Sequence, residues 1–319
     1  MNLNVSDKPA SSPELGVALI SVLWLTVLLS LIAVTVSFTG RTNARLTLNF
    51  ENATHAQYAF EAGVQWAFWG LLLPEAERPW LADGTVHSMN LDDAIIHVAV
   101  TDENGKVDLN SASGEMLKAL FVAAGLDDLE AESLSDAIMD WRDTDDLKRL
   151  NGAEDNDYQQ AGFSYGAKDA PFDSIMELKR VLGMDDQLFN TLAGSITVYS
   201  NTPSVNPLVA PKLVLMAFTG WEEYQALEFI NDRRAAHAEG VTIATNALTS
   251  PFFSTSSRGL NYTVLTQAVL KTNTRSGKSV VIQRRGGKGK EIFNILDTYS
   301  LNKEVFKDNM LIESEGLPL

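Results

Sequence analysis

Gly16-Val17-Ala18-Leu19-Ile20-Ser21-Val22-Leu23-Trp24-Leu25-Thr26-Val27-Leu28-Leu29-Ser30-Leu31-Ile32-Ala33-Val34-Thr35-Val36-Ser37-Phe38 carries no charge and no proline, and the next basic residues are Arg41 and Arg45. At 1.5 Å per residue, about 22 helical residues cross the roughly 30 Å hydrocarbon core of a bilayer, so residues 17–38 are long enough for one membrane span. No second run of this kind follows. A cleaved secretory signal has an apolar region of only about 7–15 residues and a small-x-small site after it; Thr35-Val36-Ser37-Phe38-Thr39-Gly40 makes a poor one. Another layout cuts on the near side, with residues 1–16 as a hydrophilic leader and Val17 as the new N-terminus. The Gly16-Val17 junction alone does not decide between them.

Beyond the span the pattern stays helical and becomes amphipathic. Leu46, Phe50, Ala53, Ala56, Phe60, Val64, Ala67 and Leu71 recur at three- and four-residue spacing, which lines one face of a helix. No proline interrupts residues 17–73, and Pro74 follows. The pattern predicts one helix over residues 17–73, about 85 Å long, its first half in lipid and its second half on a soluble domain. Two helices broken near Gly40 are the alternative.

Composition narrows the function. The chain has 319 residues, 45% of them hydrophobic, enough for a core beside the anchor. Net charge is −16, and such a surface repels phosphate backbones, which argues against a broad nucleic-acid-binding role. With no cysteine there is neither a disulfide nor a thiolate site. Lys8 before the span against Arg41 and Arg45 after it does not favour export of the C-terminal part, whereas long domains translocate largely regardless of flanking charge.

Ile95 to Val100, then Asp102-Glu103-Asn104-Gly105, then Lys106 to Leu109 reads as strand, turn and strand, a β-hairpin. Residues 112–124, 129–141, 174–182 and 187–193 read as helices, with Ser111 and Asp173 as caps, and Ile196 to Tyr199 as a strand. Val107-Asp108-Leu109-Asn110 followed by Leu117, Leu120 and Gly125 is echoed by Val205-Asn206 followed by Leu213, Leu215 and Gly220, a reused turn and short helix. Trp221 to His237 reads as a helix, with Arg233 and Arg234 near its end favoured by the helix dipole. Residues 262–272, 279–283 and 292–296 read as strands, the first two joined through residues 273–277. The order predicts an α+β fold: a long N-terminal helix on a small antiparallel sheet, interrupted by a large helical insertion.

Several motifs dissolve on inspection. Gly162-Phe163-Ser164-Tyr165-Gly166 has the letters of a nucleophile elbow but lacks the strand it needs, so a hydrolase using Ser164 is a weak rival. Ser276-Gly277-Lys278-Ser279 lacks the first P-loop glycine, since Thr272 stands there, and reads as a hairpin turn. Arg284 to Lys290 is a basic, glycine-rich loop. His55, His87, His97 and His237 have no ligand spacing.

The acidic segment is more informative. Asp140, Asp143, Asp145 and Asp146 are followed by Glu154, Asp155 and Asp157, and crowded carboxylates are costly unless solvated or neutralised by a cation. Calcium accepts about six to eight oxygens flexibly. The EF-hand pattern fails at Leu147, and the alternative is a solvated acidic loop with Arg142, Lys148 and Arg149 as counter-charges.

Together, Gly16-Val17 before a long apolar helix, Val107-Asp108-Leu109-Asn110, Asp140-Trp141-Arg142-Asp143, Gly152-Ala153-Glu154-Asp155 with Tyr158, Pro171-Phe172 with Glu177-Leu178, and Val205-Asn206 resemble the K-type minor pseudopilins of type II secretion. The resemblance implies a leader over 1–16 cut after Gly16 by a prepilin peptidase, which methylates the new amine of Val17. It implies a pilin-like domain in two parts, 74–110 and 195–301, around a helical domain at 111–194, with a tail at 302–319. It further implies a single-pass inner-membrane protein, its C-terminal domain periplasmic, assembled with the I- and J-type minor pseudopilins at the pseudopilus tip, and an association with Ca2+ assigned to the acidic cluster. Glu14 stands where leaders of this class are usually basic, and Ser21 stands at the fifth mature position, where ordinary pilins carry a glutamate. A buried carboxylate without a partner amine is costly, so Ser21 suits a subunit with none above it. The rival is a membrane-anchored DNA-uptake protein with helix-hairpin-helix elements, for which Val181-Leu182-Gly183-Met184-Asp185 lacks the second glycine and adds an acid.

Overall fold

The computed structural model describes residues 14–74, 77–245, 248–255, 259–285 and 292–300. Most of the expected leader, the tail at 302–319 and nearly all of the Arg284–Lys290 loop lie outside the described residues. The chain forms two compact units, Met1–His55 and Ala56–Leu319.

The described part of the first unit is the start of helix α1, Glu14–Leu72, which continues through Gly40 without the alternative break. Every side chain from Val17 to Phe50 is exposed, Leu46 and Phe50 among them, and the helix is long and apolar enough to cross a membrane. Several of its hydroxyls bond back to their own helix: Ser21 donates to Val17 O at 2.9 Å, Thr26 to Leu23 O at 2.8 Å and Thr35 to Leu31 O at 2.8 Å. Such self-satisfaction is what a lipid environment demands.

In the second unit, the end of α1 lies on a five-stranded antiparallel sheet of order β1-β2-β5-β6-β7. The strands are β1 (Asp83–Leu91), β2 (Ala94–Asp102), β5 (Asn261–Leu270), β6 (Arg275–Arg284) and β7 (Phe293–Ser300), with the short β3 and β4 falling between β2 and β5 in sequence. Ala56, Phe60, Val64, Ala67 and Leu71 of the expected stripe are buried against Ile96, Val98 and Val100 of β2, Val264 and Ala268 of β5, and Val280 and Ile282 of β6. Alternation puts these strand residues on one face, as the register Ile96↔Ala268, Val100↔Val264 and Val264↔Val280 requires. Two glycines set how close the helix comes: a β-carbon at Gly63 would overlap Thr266, and one at Gly70 the Trp80 ring.

The sheet is interrupted between neighbours β2 and β5 by residues 103–260. These hold β3 (Val107–Asp108), parallel to β4 (Ile196–Thr197), and helices α2 (Gly114–Ala123), α3 (Asp128–Arg142), α4 (Asp155–Gln160), α5 (Asp186–Leu192), α6 (Lys212–Thr219) and α7 (Glu223–Glu239). Their shared core runs from Val107 to Ile230. The helical layer therefore continues past the expected boundary at 194, because the apolar faces of α6 and α7 (Val214, Leu215, Ala226, Ile230) close the same core.

Four local expectations are corrected. The hairpin partner of β2 is β1, through Asp92-Asp93 with Asp92 at φ 38°. Asn104-Gly105 instead lies in a 3-10 turn capped by Asp102, and a β-carbon at Gly105 would sit 2.6 Å from Val209 O. The helix caps are Ser113 and Ser174 rather than Ser111 and Asp173, and the segment after Ser174 is a 3-10 helix, Ile175–Arg180. Gly277 lies inside β6 opposite Gln267, so residues 276–279 are strand, and the turn precedes them.

Candidate functional site

Helix α3 positions the acidic cluster. An Asp127 capping box starts it, Ala131, Leu134, Ala137, Ile138 and Trp141 turn into the helical core, and at its C-terminal end Asp140 accepts from Arg149 N of the following segment. Arg142 fixes this end by donating to Leu109 O and, at 2.6 Å, to Ala112 O. That contact explains the preceding motif. Asp108 is buried and accepts from Asn110 N, Ser111 N, Ser200 Oγ and Asn201 N. Asn110 clamps Phe172 by donating to its carbonyl at 2.9 Å and accepting from its amide at 2.7 Å. Phe172 stacks on Trp141, which also meets Tyr158, and the Tyr158 hydroxyl accepts from Leu182 N. Asp108, Asn110, Arg142, Tyr158 and Phe172 thus build the wall behind the cluster.

Within it, Asp140 is fully buried; Arg149 Nε lies 3.3 Å from its Oδ1, and Arg149 N donates to both oxygens. Burial raises the Asp140 carboxyl above its ordinary range despite Arg149. Arg149 Nη2 lies 3.3 Å from Asp143 Oδ2, while Asp143 Oδ1 is buried with no hydrogen-bond partner. Glu154 is 8% exposed, and its Oε1 is likewise orphaned. Burial, followed by the charges of Asp140, Asp169, Asp143 and Asp146, pushes the Glu154 carboxyl up to about 7. Gly152 and Gly166 are required by close approach: a β-carbon at Gly152 would overlap the Asp140 carboxylate, and one at Gly166 that of Asp155.

The structure therefore gathers Asp140, Asp143, Asp146 and Glu154 of the expected set, with Asp155 alongside. Asp145 and Asp157 stand apart: Asp145 accepts from Leu147 N, and Asp157 pairs with Lys148 at 2.6 Å, which holds its carboxyl low. Asp169 is the member that sequence reading missed. Burial and then Asp155, Asp146 and Asp143 raise its carboxyl. It lies in a separate loop at φ 54°, with no spacing signal to tie it to the others. Carboxylate oxygens, two of them orphaned, are the donor type a hard divalent cation takes, but their arrangement does not fit one. As placed, no three described carboxylates or imidazoles converge on one point, and Arg149 spans Asp140 and Asp143 instead.

The residues expected to mark processing and position lie on α1. Gly16 and Val17 fall within its first turn, and Ser21 bonds its own helix. Ser164 follows α4 in a loop with no strand before it, so the elbow geometry is missing. At the hairpin-like turn, Gly183 has φ 91°, but the Asp185 carboxylate takes up Leu188 N, the position a phosphate would need.

A long N-terminal helix, apolar enough at its start to cross a membrane and packed at its end over an antiparallel sheet, with a helical layer inserted between adjacent strands, defines a pilin-like α+β protein. Residues 89–201 match the family model described as Type II secretion system (T2SS), protein K. The chain is similar to Type II secretion system protein K of Klebsiella pneumoniae, 26% identical over 43% of this chain and 47% of that protein. The protein of the same name from Dickeya chrysanthemi is 30% identical over 27% and 23%, and that from Pectobacterium carotovorum subsp. carotovorum 28% identical over 41% and 40%. The chain thus spans less than half the length of these curated relatives. Its fold resembles a chain in the crystal structure of the GspK-GspI-GspJ complex from the enterotoxigenic Escherichia coli Type 2 Secretion System, with a TM-score of 0.58 and 16% identity over 80% of this chain and 99% of that one. The resemblance to K-type proteins read from the sequence is borne out.

Proposed function

We propose that this chain is the K-type minor pseudopilin of a type II secretion system, a non-enzymatic subunit that caps and initiates the periplasmic pseudopilus. The observation that carries the reading is the joining of a protein K domain, residues 89–201, to an exposed apolar helix that continues into the pilin-like sheet unit. In this reading a prepilin peptidase cuts after Gly16 and methylates Val17. Residues 17–38 hold the subunit in the inner membrane, and the sheet and helical layers stand in the periplasm. Leu46 and Phe50, 60% and 76% exposed, offer an apolar helix face to the I- and J-type minor pseudopilins. Ser21, with its hydroxyl satisfied by Val17 O, leaves no buried charge in need of a neighbour's amine. Among the described residues no three carboxylates of the acidic cluster converge on a calcium position, and the reading does not depend on that ion.

Co-expression of the full chain with the I- and J-type proteins of the same host tests the reading. A ternary complex should co-purify from detergent, and should be lost on Phe50→Asp with the chain still folded by circular dichroism. A chain that stays folded and alone overturns it.

A further inference from the structure

Two faces of α1 differ in character between residues 26 and 45. Val27, Leu31, Val34 and Phe38 recur at three- and four-residue spacing, and the same spacing continues to Arg41 and Arg45. One exposed face of the helix therefore passes from bulky apolar side chains to two guanidinium groups. One residue back, about 100° around the helix, Thr26, Ser30, Ala33, Ser37 and Gly40 follow the same spacing. Small residues let membrane helices approach closely, so this second face suits a neighbouring helix. The first has no small residue or hydroxyl and suits lipid. From Phe38 back to Val27 is about 11 residues, roughly 16 Å, close to the hydrocarbon depth of one leaflet. Arg41 and Arg45 follow about 5 and 10 Å beyond Phe38, and their long side chains bring both charges to the headgroup layer. Among the described residues neither arginine has an ion-pair partner. The whole chain carries −16 and is repelled by an anionic membrane surface, so attraction to one has to come from local cations at phosphate level.

We infer that this face of α1 is a binding site for an anionic phospholipid. Arg41 and Arg45 take the phosphodiester through the paired N–H groups that a guanidinium presents, and an acyl chain lies along Phe38, Val34, Leu31 and Val27. The inference rests on the reading of residues 17–38 as a membrane span. A lipid held there fixes the depth and rotation of the helix in the bilayer, and it leaves the small-residue face open to a neighbouring helix.

Spin-labelled phosphatidylglycerol and phosphatidylcholine of the same acyl chains, compared beside the full chain in phosphatidylcholine vesicles, test it. Two arginines at an anionic headgroup should favour phosphatidylglycerol by up to about 30-fold in the wild type. The double variant Arg41→Gln/Arg45→Gln should lose the preference, and millimolar inorganic phosphate should leave the wild-type preference in place. An inserted wild type without a preference, or a double variant that keeps it in full, overturns the inference. A preference abolished by inorganic phosphate overturns it too, because the arginines then hold free phosphate rather than lipid. Cross-linking of the full chain to itself that needs both arginines, without any lipid preference, gives the face to a second copy and also overturns it. Flotation of the vesicles separates this from the underlying reading: a wild-type chain that does not float with the lipid overturns the span itself, whereas an inserted chain without a preference overturns the lipid site alone.

Discussion

At the scale of single residues, the strongest lesson comes from Arg233 and Arg234. Their place near the end of α7 invites a helix-dipole explanation, yet both reach Asp83 Oδ2, at 3.1 and 2.8 Å. Asp83 is fully buried and Arg233 nearly so, its guanidinium also donating to Pro207 O and Ala210 O. This network ties β1 to α7 across the two layers. Burial raises the Asp83 carboxyl, but the two arginines outweigh it and hold it below its ordinary value. A carboxylate with a depressed folded pKa stabilises fully above its unfolded value of about 3.9 and loses that contribution as pH falls through the folded value. Asp83→Asn should cost about 3–5 kcal/mol at pH 7, because it strands a buried guanidinium. The gap to wild type in denaturant unfolding should narrow only below about pH 4; a gap constant down to pH 2 would show that the carboxylate's charge is not what matters. Nothing in the sequence pairs position 83 with 233, since ion pairs between distant segments leave no local pattern.

At the scale of elements, periodicity made α1 and its buried stripe legible from Ala56 onward, because a helix packed on a sheet must present apolar residues every three or four positions. Leu46, Phe50 and Ala53 continue the same pattern while exposed in this chain, so the stripe marks apolar contact without saying with whom. The first hairpin was not legible: β1 is a polar edge strand, Gly84-Thr85-Val86-His87-Ser88-Met89-Asn90, whereas Asn104-Gly105 mimics a turn it does not make. The glycines of α1 provide the check. Gly63→Ala gains up to about 1 kcal/mol of helix propensity but forces a methyl into Thr266, so a net loss of about 1–2 kcal/mol is expected in chemical unfolding. Gly40→Ala meets nothing within 4 Å and should leave the unfolding midpoint of the sheet unit unchanged. Equal effects of the two substitutions would mean that close helix–sheet approach does not hold α1.

At the scale of the whole molecule, the order helix, strands, helical block, strands was readable, and it gave the α+β class with an insertion. The insertion's extent was not, because α6 and α7 follow a strand in sequence yet pack their apolar faces into the helical core. Asp140, Asp143, Asp146, Glu154 and Asp155 of the acidic cluster were readable in the sequence; Asp169 was not, since only folding brings its loop to Glu154. In the proposed subunit the N-terminal helix and residues 89–201 belong to one processed, membrane-held chain. Mass analysis of the N-terminus of the protein isolated from its native host tests it most directly. The account predicts a chain beginning at N-methylated Val17, with the apolar helix retained; a chain still beginning at Met1, or one cut near Gly40 so that residues 17–38 are lost, would contradict it.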